Sequence, residues 1–588
     1  MAKQQPIKKS NTGKANDNTP IKQTIRKPSV KPSFQNSSTI FTKLEKHFEQ
    51  KRTAYIIVIV ILAALFSFLC FDNKISIAND DALYIEAGAN YAKNFFGYFY
   101  TETAPLYPII LSILIKLIGV KLFTLKAFSI LFFCLALYFI YKAFKDRIPY
   151  IILLPALLLV ALNNQFLVYA SLTYTETFSL MMFGIAFILF NKTIDNIEHP
   201  DYDIKKHIGT FVLIGFTCFM LMIARNVALA TIGLVVLFFM YRKKYTESAI
   251  TAISFVAFYF LYKIALKYLW HLDGSQFSSQ GSKMFNKDAY QPQLGKATTT
   301  DLIIRFWENC QIYISSRLYF ILGFREEMSP NNVALTLFTI GIVVWSAYLM
   351  YTKKLFTLLF STLFFSALLA ATFISLHTSW GQSRLIMIYL PFILFNVFYL
   401  LYYYGQKFEV LQSMYFFVYF ILFFMGMSAT FKLAKDRLPV FIENMSGDPT
   451  YGYTPDWQNY IKMTKWCAQQ FPNDTKSIAV RKAPMSFIFS EGKEFYPIYG
   501  TPTQDADSLL MPLRQNHVNY IMLAELRANP DMYVEGQIIG TMHRYAYYIQ
   551  QKYPNAFQFV HQEGDLEKSQ LYKINFQYID SLKATSIK

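Results

Sequence analysis

Apolar residues in this chain come in blocks of helix length, separated by short polar intervals. Twelve blocks are readable, at 54–71, 106–118, 123–141, 149–167, 173–190, 208–224, 227–241, 249–268, 333–351, 356–375, 385–404 and 414–430. A helix rises about 1.5 Å per residue and a hydrocarbon core is about 30 Å thick, so most of these blocks are near the length of a membrane crossing. The pattern predicts a polytopic α-helical membrane protein with about 11–12 apolar segments. Many blocks are dense in Phe and Tyr, which suits helices packed on one another and belted at the interfaces.

Four polar intervals organise the rest. Residues 1–52, rich in Lys, Pro, Ser, Asn and Gln, have too few large apolar residues for a core and read as a disordered basic cytoplasmic tail. Residues 53–430 form the transmembrane domain, with a first external loop at 72–105 and a long external loop at 269–330. Within the long loop, the mixture of Ile, Phe and Trp with Arg305, Glu308 and Arg317 predicts an amphipathic helix in the headgroup plane. Residues 431–588 turn polar, and 457–472 reads as an amphipathic helix. The segments 477–482 and 518–525 read as short strands, together predicting a small C-terminal α/β external domain.

Charge sets the topology. The tail holds twelve Lys/Arg against three Asp/Glu, half of the net +18 of the whole chain, and such a segment resists translocation. Lys142 to Arg147, Lys205 and Lys206, Arg242 to Lys244, Lys353 and Lys354, and Lys407 then fall on the side of the N-terminus if the C-terminal domain is outside. That arrangement needs an odd number of crossings. The short block 106–118 is the one expected not to cross, leaving eleven.

Composition narrows the class. With 54% hydrophobic and 18% aromatic residues, the chain is too apolar for a soluble globular protein. Its basic excess belongs to membrane lipids and cytoplasmic loops, and no recognition fold for nucleic acid accompanies it. Of the five cysteines, Cys70, Cys134 and Cys218 lie in apolar blocks and Cys310 and Cys467 stand alone, so neither a disulfide framework nor a metal-ligand spacing follows. No cofactor is required by these residues. A divalent metal has no dense ligand cluster to support it: His271 with Asp273, and His377, are isolated.

The candidate chemistry sits at 79–108, which places Asp80, Asp81 and Glu102 between two apolar blocks. On a helix Asp80, Tyr84, Ala87 and Tyr91 share a face, with Asp81 and Glu86 turned aside. Asp80 could then act as a general base on a substrate hydroxyl. Equally, Asp80 and Asp81 could be first-turn acids that favour a helix N-terminus capped by Asn79.

The run DDALY, a short amphipathic stretch and then APLYPIILSILIKLIG resembles the first external loop of the GT-C superfamily of membrane glycosyltransferases. Nearest are bacterial branches related to protein O-mannosyltransferases and the aminoarabinose transferase of lipid A. Further resemblances lie in VYASLTYTETFSLMMFGIAFILF, in LIGFTCFMLMIARNVALATIG and in SRLIMIYLPFIL, and the region from DWQNYIKMTK is similar to the soluble external domain of many such enzymes.

The resemblance implies an inverting glycosyltransferase of a bacterial-type inner (plasma) membrane. It would take a sugar from a polyprenyl-phosphate-linked donor to a lipid, glycan or protein hydroxyl at the external face. It puts Asp80 in the place of the base, Asp81 where the family often has Glu, and Glu176 at the acidic position of the second external loop. Many relatives carry a Lys-Pro-Pro run where this chain has Thr103, Ala104 and Pro105, so no phosphate-binding lysine carries over there. Arg225 and Arg384 are the replacements to consider, since a guanidinium fork suits phosphate oxygens. Both could also be interface arginines. Tyr84, Glu102 and Glu176 complete the substrate-binding candidates. The alternative is a lipid or glycan transporter or flippase, which would show buried charges along several spans and two matching halves. Here the ionisable residues gather at one face.

Overall fold

The computed structural model describes residues 40–76, 80–272, 283–288, 294–473 and 475–586. Most of the tail, Asn79 with its expected capping role, and Asp273 therefore lie outside the described residues. The end of the tail departs from the expectation of disorder, because Ile40–Gln50 is a helix. Phe41, Leu44 and Phe48 form an apolar stripe along it. Phe41 is buried with its ring 5.2 Å from Tyr415 and 5.3 Å from Tyr402.

Among the described residues eight helices are long and apolar enough to cross a membrane: Arg52–Leu69, Leu122–Phe144, Thr175–Ile197, Tyr245–Leu269, Val333–Thr352, Phe356–Ser375, Ser383–Gly405 and Glu409–Ser446. The pair Tyr150–Ala161 and Asn164–Ala170, bent by 59°, is long and apolar enough only when its two helices are taken together. Three apolar helices are shorter, at Leu106–Ile118, Ile208–Ala224 and Asn226–Tyr241. The chain is an integral membrane protein with a polytopic helical bundle.

Side-chain contacts show which way these helices run. At the start of Leu122–Phe144 the buried Lys126 donates to the carbonyl oxygens of Asp72 (2.8 Å) and Lys74. Past the other end of that helix, Arg147 pairs with Asp195 near the end of Thr175–Ile197. Leu106–Ile118 thus leaves from the Asp72 side and hands over to a helix that begins on the same side. Its length, about 20 Å at 1.5 Å per residue, is also too short to cross. Gly119, at φ +75°, ends it in a backbone conformation that a side chain would resist. The remaining helices alternate between the two ends, and the basic loops around Arg147 and Arg242 fall at the end away from Asp72. Arg242 there meets Glu198 at 3.0 Å.

The long middle loop contains the expected amphipathic helix, with Ile303, Ile304 and Trp307 exposed along it. Thr299–Asn309 is helical and continues through a π-helical stretch, Cys310–Arg317, to Ile321. Arg305 is buried and donates to the carbonyl oxygens of Met284 (2.6 Å) and Asn286 (2.8 Å), and Arg317 donates to that of Gly381. Buried guanidinium groups satisfy loop carbonyls that have no other donor in an apolar setting.

The last bundle helix runs past Thr430 to Ser446, because Lys432, Lys435 and Asp436 sit on a helix that has left the apolar layer without ending. The compact C-terminal unit follows. It has a five-stranded sheet in the order β2-β1-β3-β5-β4, with β1 Ile478–Val480, β2 Tyr496–Pro497, β3 Tyr520–Ala524, β4 Phe557–Glu563 and β5 Ser569–Ile574. The β1 strand is parallel to β2 and β3, and β5 is antiparallel to β3 and β4. Side chains alternate across it: Ile478, Val480 and Met522 join the core continuous with the bundle, while Ala479 and Ile521 face a second core with Leu509 and Ile549. The expected helix is Pro455–Gln470, and the expected strands are β1 and β3.

The domain clamps the loop that leads into the short helix Asp80–Lys93. Tyr453 accepts from the Ile75 N–H at 2.6 Å and donates to the Ile75 carbonyl, and Lys74 donates to Gly452. Helix Ala483–Phe489 packs on Asp80–Lys93. On the other side, Gly88 lets Asp80–Lys93 approach Leu106–Ile118 so closely that an added Cβ would lie 3.0 Å from that of Leu111. Glu86, half-buried at the domain junction, has its carboxyl pushed up to about 7 by burial, with Glu494 adding repulsion against the pull of Lys476.

Two outcomes follow. Single cysteines introduced as Phe96→Cys and Lys205→Cys will react with an impermeant thiol reagent from opposite sides of the membrane; labelling from one side would contradict the arrangement. Glu86 binds its proton more tightly folded than unfolded, so its stabilising contribution is full below about 4.5 and is lost as pH rises through about 7. Glu86→Gln will therefore raise the melting temperature at pH 8 and flatten its dependence between pH 4.5 and 7, as read by thermal unfolding of the purified protein.

Candidate active site

Where the bundle meets the C-terminal domain lies a cavity of about 700 Å³. Its lining includes Asp80, Tyr84, Glu102, Glu176, Arg225 and Arg384, which come from five separate segments of the chain. Four of them, Asp80, Glu176, Arg225 and Arg384, are delivered by the ends of helices. Asp80 is the first residue of Asp80–Lys93, and Glu176 lies in the first turn of Thr175–Ile197, positions where the helix dipole favours an acid. Arg225 is the one extended residue between Ile208–Ala224 and the turn Asn226–Leu229. Two helices too short to cross comfortably thus meet at this arginine. Arg384 lies in the 3-10 turn, Ser383–Tyr389, that starts the next-to-last bundle helix.

The charges are matched in pairs. Arg384 Nη2 bonds Asp80 Oδ2 at 2.6 Å, and its Nε donates to Gln382 Oε1 at 2.6 Å. Its guanidinium lies 4.6 Å from the centre of the Tyr174 ring, which limits where it can swing. Arg225 Nη1 lies 3.9 Å from Glu176 Oε1, with Arg225 Nη2 3.5 Å from the Leu385 carbonyl oxygen. Arg225 Nη1 and Glu176 Oε2 are buried without a hydrogen-bond partner, so this pair keeps unspent capacity for a ligand. At the rim Lys283 Nζ lies 3.7 Å from Glu102 Oε2. Tyr84 is buried, with its hydroxyl 3.4 Å from Thr103 Oγ1. Burial raises its phenol above the ordinary value.

Asp81, expected as Asp80's catalytic companion, is placed elsewhere. It is fully buried and outside the cavity lining; Oδ2 accepts the Ser76 N–H and Oδ1 the Ala82 N–H, both at 3.0 Å. Burial raises its carboxyl, opposed by Lys126 and those two N–H groups. Nearby Asp72 is held below its ordinary value, because Lys126, Arg437 and Lys74 outweigh its burial. Arg437 Nη2 lies 3.7 Å from Asp72 Oδ2. Asp81 is thus part of a buried ionic knot that anchors the segment before Asp80. The physical reason is the helical step: adjacent residues point about 100° apart, and only one can face the cavity.

Several lining residues have no sequence signal of their own. Lys283 sits in a loop of mixed composition, and Trp380 and Gln382 lie in a turn fixed from behind by Arg317. Tyr499 comes from the C-terminal domain. The His377 Nε2–H donates to the Lys283 carbonyl at 2.9 Å, a structural use of that histidine. Among the described residues no group of three His, Cys, Asp or Glu side chains is placed to hold a metal. A second, apolar cavity of about 230 Å³ lies deeper in the bundle, between Phe306, Ile314, Leu369, Phe373 and Tyr389.

No protein-family model matches the chain, and no curated protein matches it by sequence. Solved structures do match in three dimensions. The archaeal oligosaccharyltransferase AglB from Archaeoglobus fulgidus, in complex with an inhibitory peptide and a dolichol-phosphate, gives a TM-score of 0.53 at 12% identity, over 90% of this chain and 75% of that one. ArnT from Cupriavidus metallidurans, bound to undecaprenyl phosphate, gives 0.49 at 11% identity, over 90% of this chain and 99% of that one. At such identities the likeness is one of fold alone: this chain, a polytopic helical bundle with a C-terminal domain, has a fold like that of AglB.

Proposed function

We propose that this protein is an inverting glycosyltransferase that moves a sugar from a polyprenyl-phosphate-linked donor to an acceptor hydroxyl. The reaction takes place on the side of the membrane that carries the C-terminal domain. We read that side as external and the N-terminus as cytoplasmic, since the basic loops lie at the opposite end. The observation that carries the reading is the 2.6 Å pair of Asp80 and Arg384 in a cavity at the bundle end, with Arg225 and Glu176 beside it.

Moving a sugar from a lipid phosphate to an alcohol needs a base at one side of the anomeric carbon and positive charge at the other. Asp80 takes the proton of the acceptor hydroxyl as its oxygen bonds to the anomeric carbon. The bond from that carbon to the phosphate oxygen breaks, and the electron pair leaves with the lipid phosphate, whose growing charge Arg384 and Arg225 neutralise. One displacement from the face opposite the leaving group inverts the anomeric centre. Glu176 and Glu102 orient hydroxyl groups of the sugar or acceptor, and the apolar cavity receives part of the lipid chain. An incoming phosphate competes with Asp80 for Arg384, so donor binding frees the base that the reaction needs. AglB, the structure of similar fold, was solved with a dolichol-phosphate, a lipid phosphate of the class proposed here.

Loss of the base will be specific to Asp80. In a deletion strain complemented with each variant, Asp80→Asn will cut the glycosylated product by about 10²–10⁴-fold, with the protein folded and inserted, while the lipid-linked donor accumulates. Asp81→Asn will instead lower the melting temperature and leave transfer per folded molecule near wild type. Mass spectrometry of extracted glycolipids and glycoproteins reads the first effect and thermal unfolding the second; full product from Asp80→Asn would remove this residue from the mechanism.

A further inference from the structure

Among the described residues three contacts hold Arg384, and a lipid phosphate replaces only one of them. Asp80 Oδ2 accepts from Nη2 at 2.6 Å, Gln382 Oε1 accepts from Nε at 2.6 Å, and the centre of the Tyr174 ring lies 4.6 Å from Cζ. A guanidinium over an aromatic face is attracted by the ring and needs no hydrogen bond from it, so this contact persists when a phosphate displaces the carboxylate. Gln382 precedes the turn that carries Arg384 and moves with it. Tyr174 comes from another segment and does not.

Tyr174 is itself held from several sides. It is buried and directly precedes the helix Thr175–Ile197 that carries Glu176. The Tyr169 ring packs edge-on against it at 5.7 Å, and its hydroxyl hydrogen-bonds the Ser76 hydroxyl at 3.1 Å. The Ser76 N–H in turn donates to Asp81 Oδ2 at 3.0 Å. The neighbouring Thr173 hydroxyl donates to the Asp81 carbonyl oxygen at 3.3 Å. Ser171 Oγ accepts at 3.3 Å from Arg437, the same guanidinium that pairs with Asp72. The stretch from Ser171 to Tyr174 is thus fastened to the segment that carries Asp80, while the face of its tyrosine bears on Arg384.

The consequence appears when Arg384 changes partners. In the empty cavity the salt bridge fixes the distance between Asp80 and Arg384, which are 304 positions apart in the chain. A phosphate that takes the place of the carboxylate removes that bond, and a second path then joins the two residues: from Arg384 to the Tyr174 ring, through its hydroxyl to Ser76, and on to Asp81 beside Asp80. We propose that Tyr174 is a positioning residue that keeps base and cation at their working separation once the salt bridge has opened. Its ring holds the guanidinium for the phosphate, and its hydroxyl holds the segment of the base. The words base and phosphate rest on the glycosyltransferase reading, whereas the tie rests on the contacts alone. Because the two tasks belong to different parts of one side chain, substitution separates them.

The test uses the full-length protein in nanodiscs. Tyr174→Phe keeps the ring and loses the tie to Ser76, Ser76→Ala loses the same tie from its other end, and Tyr174→Leu loses ring and tie together. Phenylglyoxal modification of Arg384, located by peptide mass spectrometry, reads how firmly the guanidinium is held. In an Asp80→Asn background, adding Tyr174→Leu is expected to speed modification by about threefold or more, and adding Tyr174→Phe to leave it unchanged. Calorimetric titration with undecaprenyl phosphate is expected to give wild-type affinity for Tyr174→Phe and binding about threefold weaker or worse for Tyr174→Leu. Product per folded molecule in the complemented deletion strain is expected to fall by about tenfold in Tyr174→Phe and in Ser76→Ala, and no further when the two are combined. A purely structural role would instead lower the melting temperature and move all the readouts together. Equal modification of Arg384 with and without the ring, unchanged phosphate affinity in Tyr174→Leu, or full product from Tyr174→Phe would each overturn the proposal. Should Tyr174→Leu melt early, Tyr174→Phe and Ser76→Ala still decide it, since additive losses in the combined variant would mean that they do not act through one bond. Faster modification of Arg384 without the ring, in a protein whose wild type binds no undecaprenyl phosphate, would leave the tie standing and remove the lipid-phosphate donor.

Discussion

The bond between Asp80 and Arg384 joins residues 304 positions apart, and the site depends on it. It ties the first turn after the opening membrane helix to the start of the next-to-last one, closing a ring of helix ends around the cavity. Such a pair is costly to leave half-made, because the Arg384 guanidinium is largely buried and needs the carboxylate or a substitute. A substrate phosphate is a suitable substitute for the carboxylate. The contact that shapes the empty cavity is therefore also the one a lipid phosphate would replace, leaving Asp80 free to accept a proton.

Behind this pair, two groups of contacts keep Asp80 where it is. The buried knot of Lys126, Asp72, Asp81 and Arg437 holds the segment that precedes it, with the ammonium of Lys126 satisfied by carbonyl oxygens as well as by acids. The domain holds the same segment from the other side through Tyr453 and helix Ala483–Phe489. Charged groups buried this way add little net stability, but removing one member leaves the others uncompensated. The C-terminal domain is accordingly a wall of the cavity as much as an appendage to the bundle.

Much of this was legible in the amino-acid sequence because the relevant signals are local. Blocks of apolar residues mark the helices, and charged residues at their edges mark the end where the cavity forms. The helical step separated Asp80 and Tyr84, which line the cavity, from Asp81, although the sequence could not say that Asp81 would be drawn into a knot with Lys126, a lone lysine near the start of an apolar helix. The helix at Ile40–Gln50 was hidden by its polar composition, its apolar stripe being only Phe41, Leu44 and Phe48. The run past Thr430 was hidden by the same ambiguity, since lysines on an emerging helix look like the start of a soluble domain. Lys283 and Tyr499 come to the cavity through tertiary packing of loops, and no periodicity could have announced them.

The most direct measurement of the central claim is the affinity for undecaprenyl phosphate of wild type, Asp80→Asn and Arg384→Gln, measured side by side in nanodiscs. If the phosphate takes the place of the Asp80 carboxylate at Arg384, then Asp80→Asn binds about three- to tenfold more tightly than wild type, and Arg384→Gln binds about tenfold less tightly or worse. Equal affinity for all three proteins, or weaker binding by Asp80→Asn, would contradict the account.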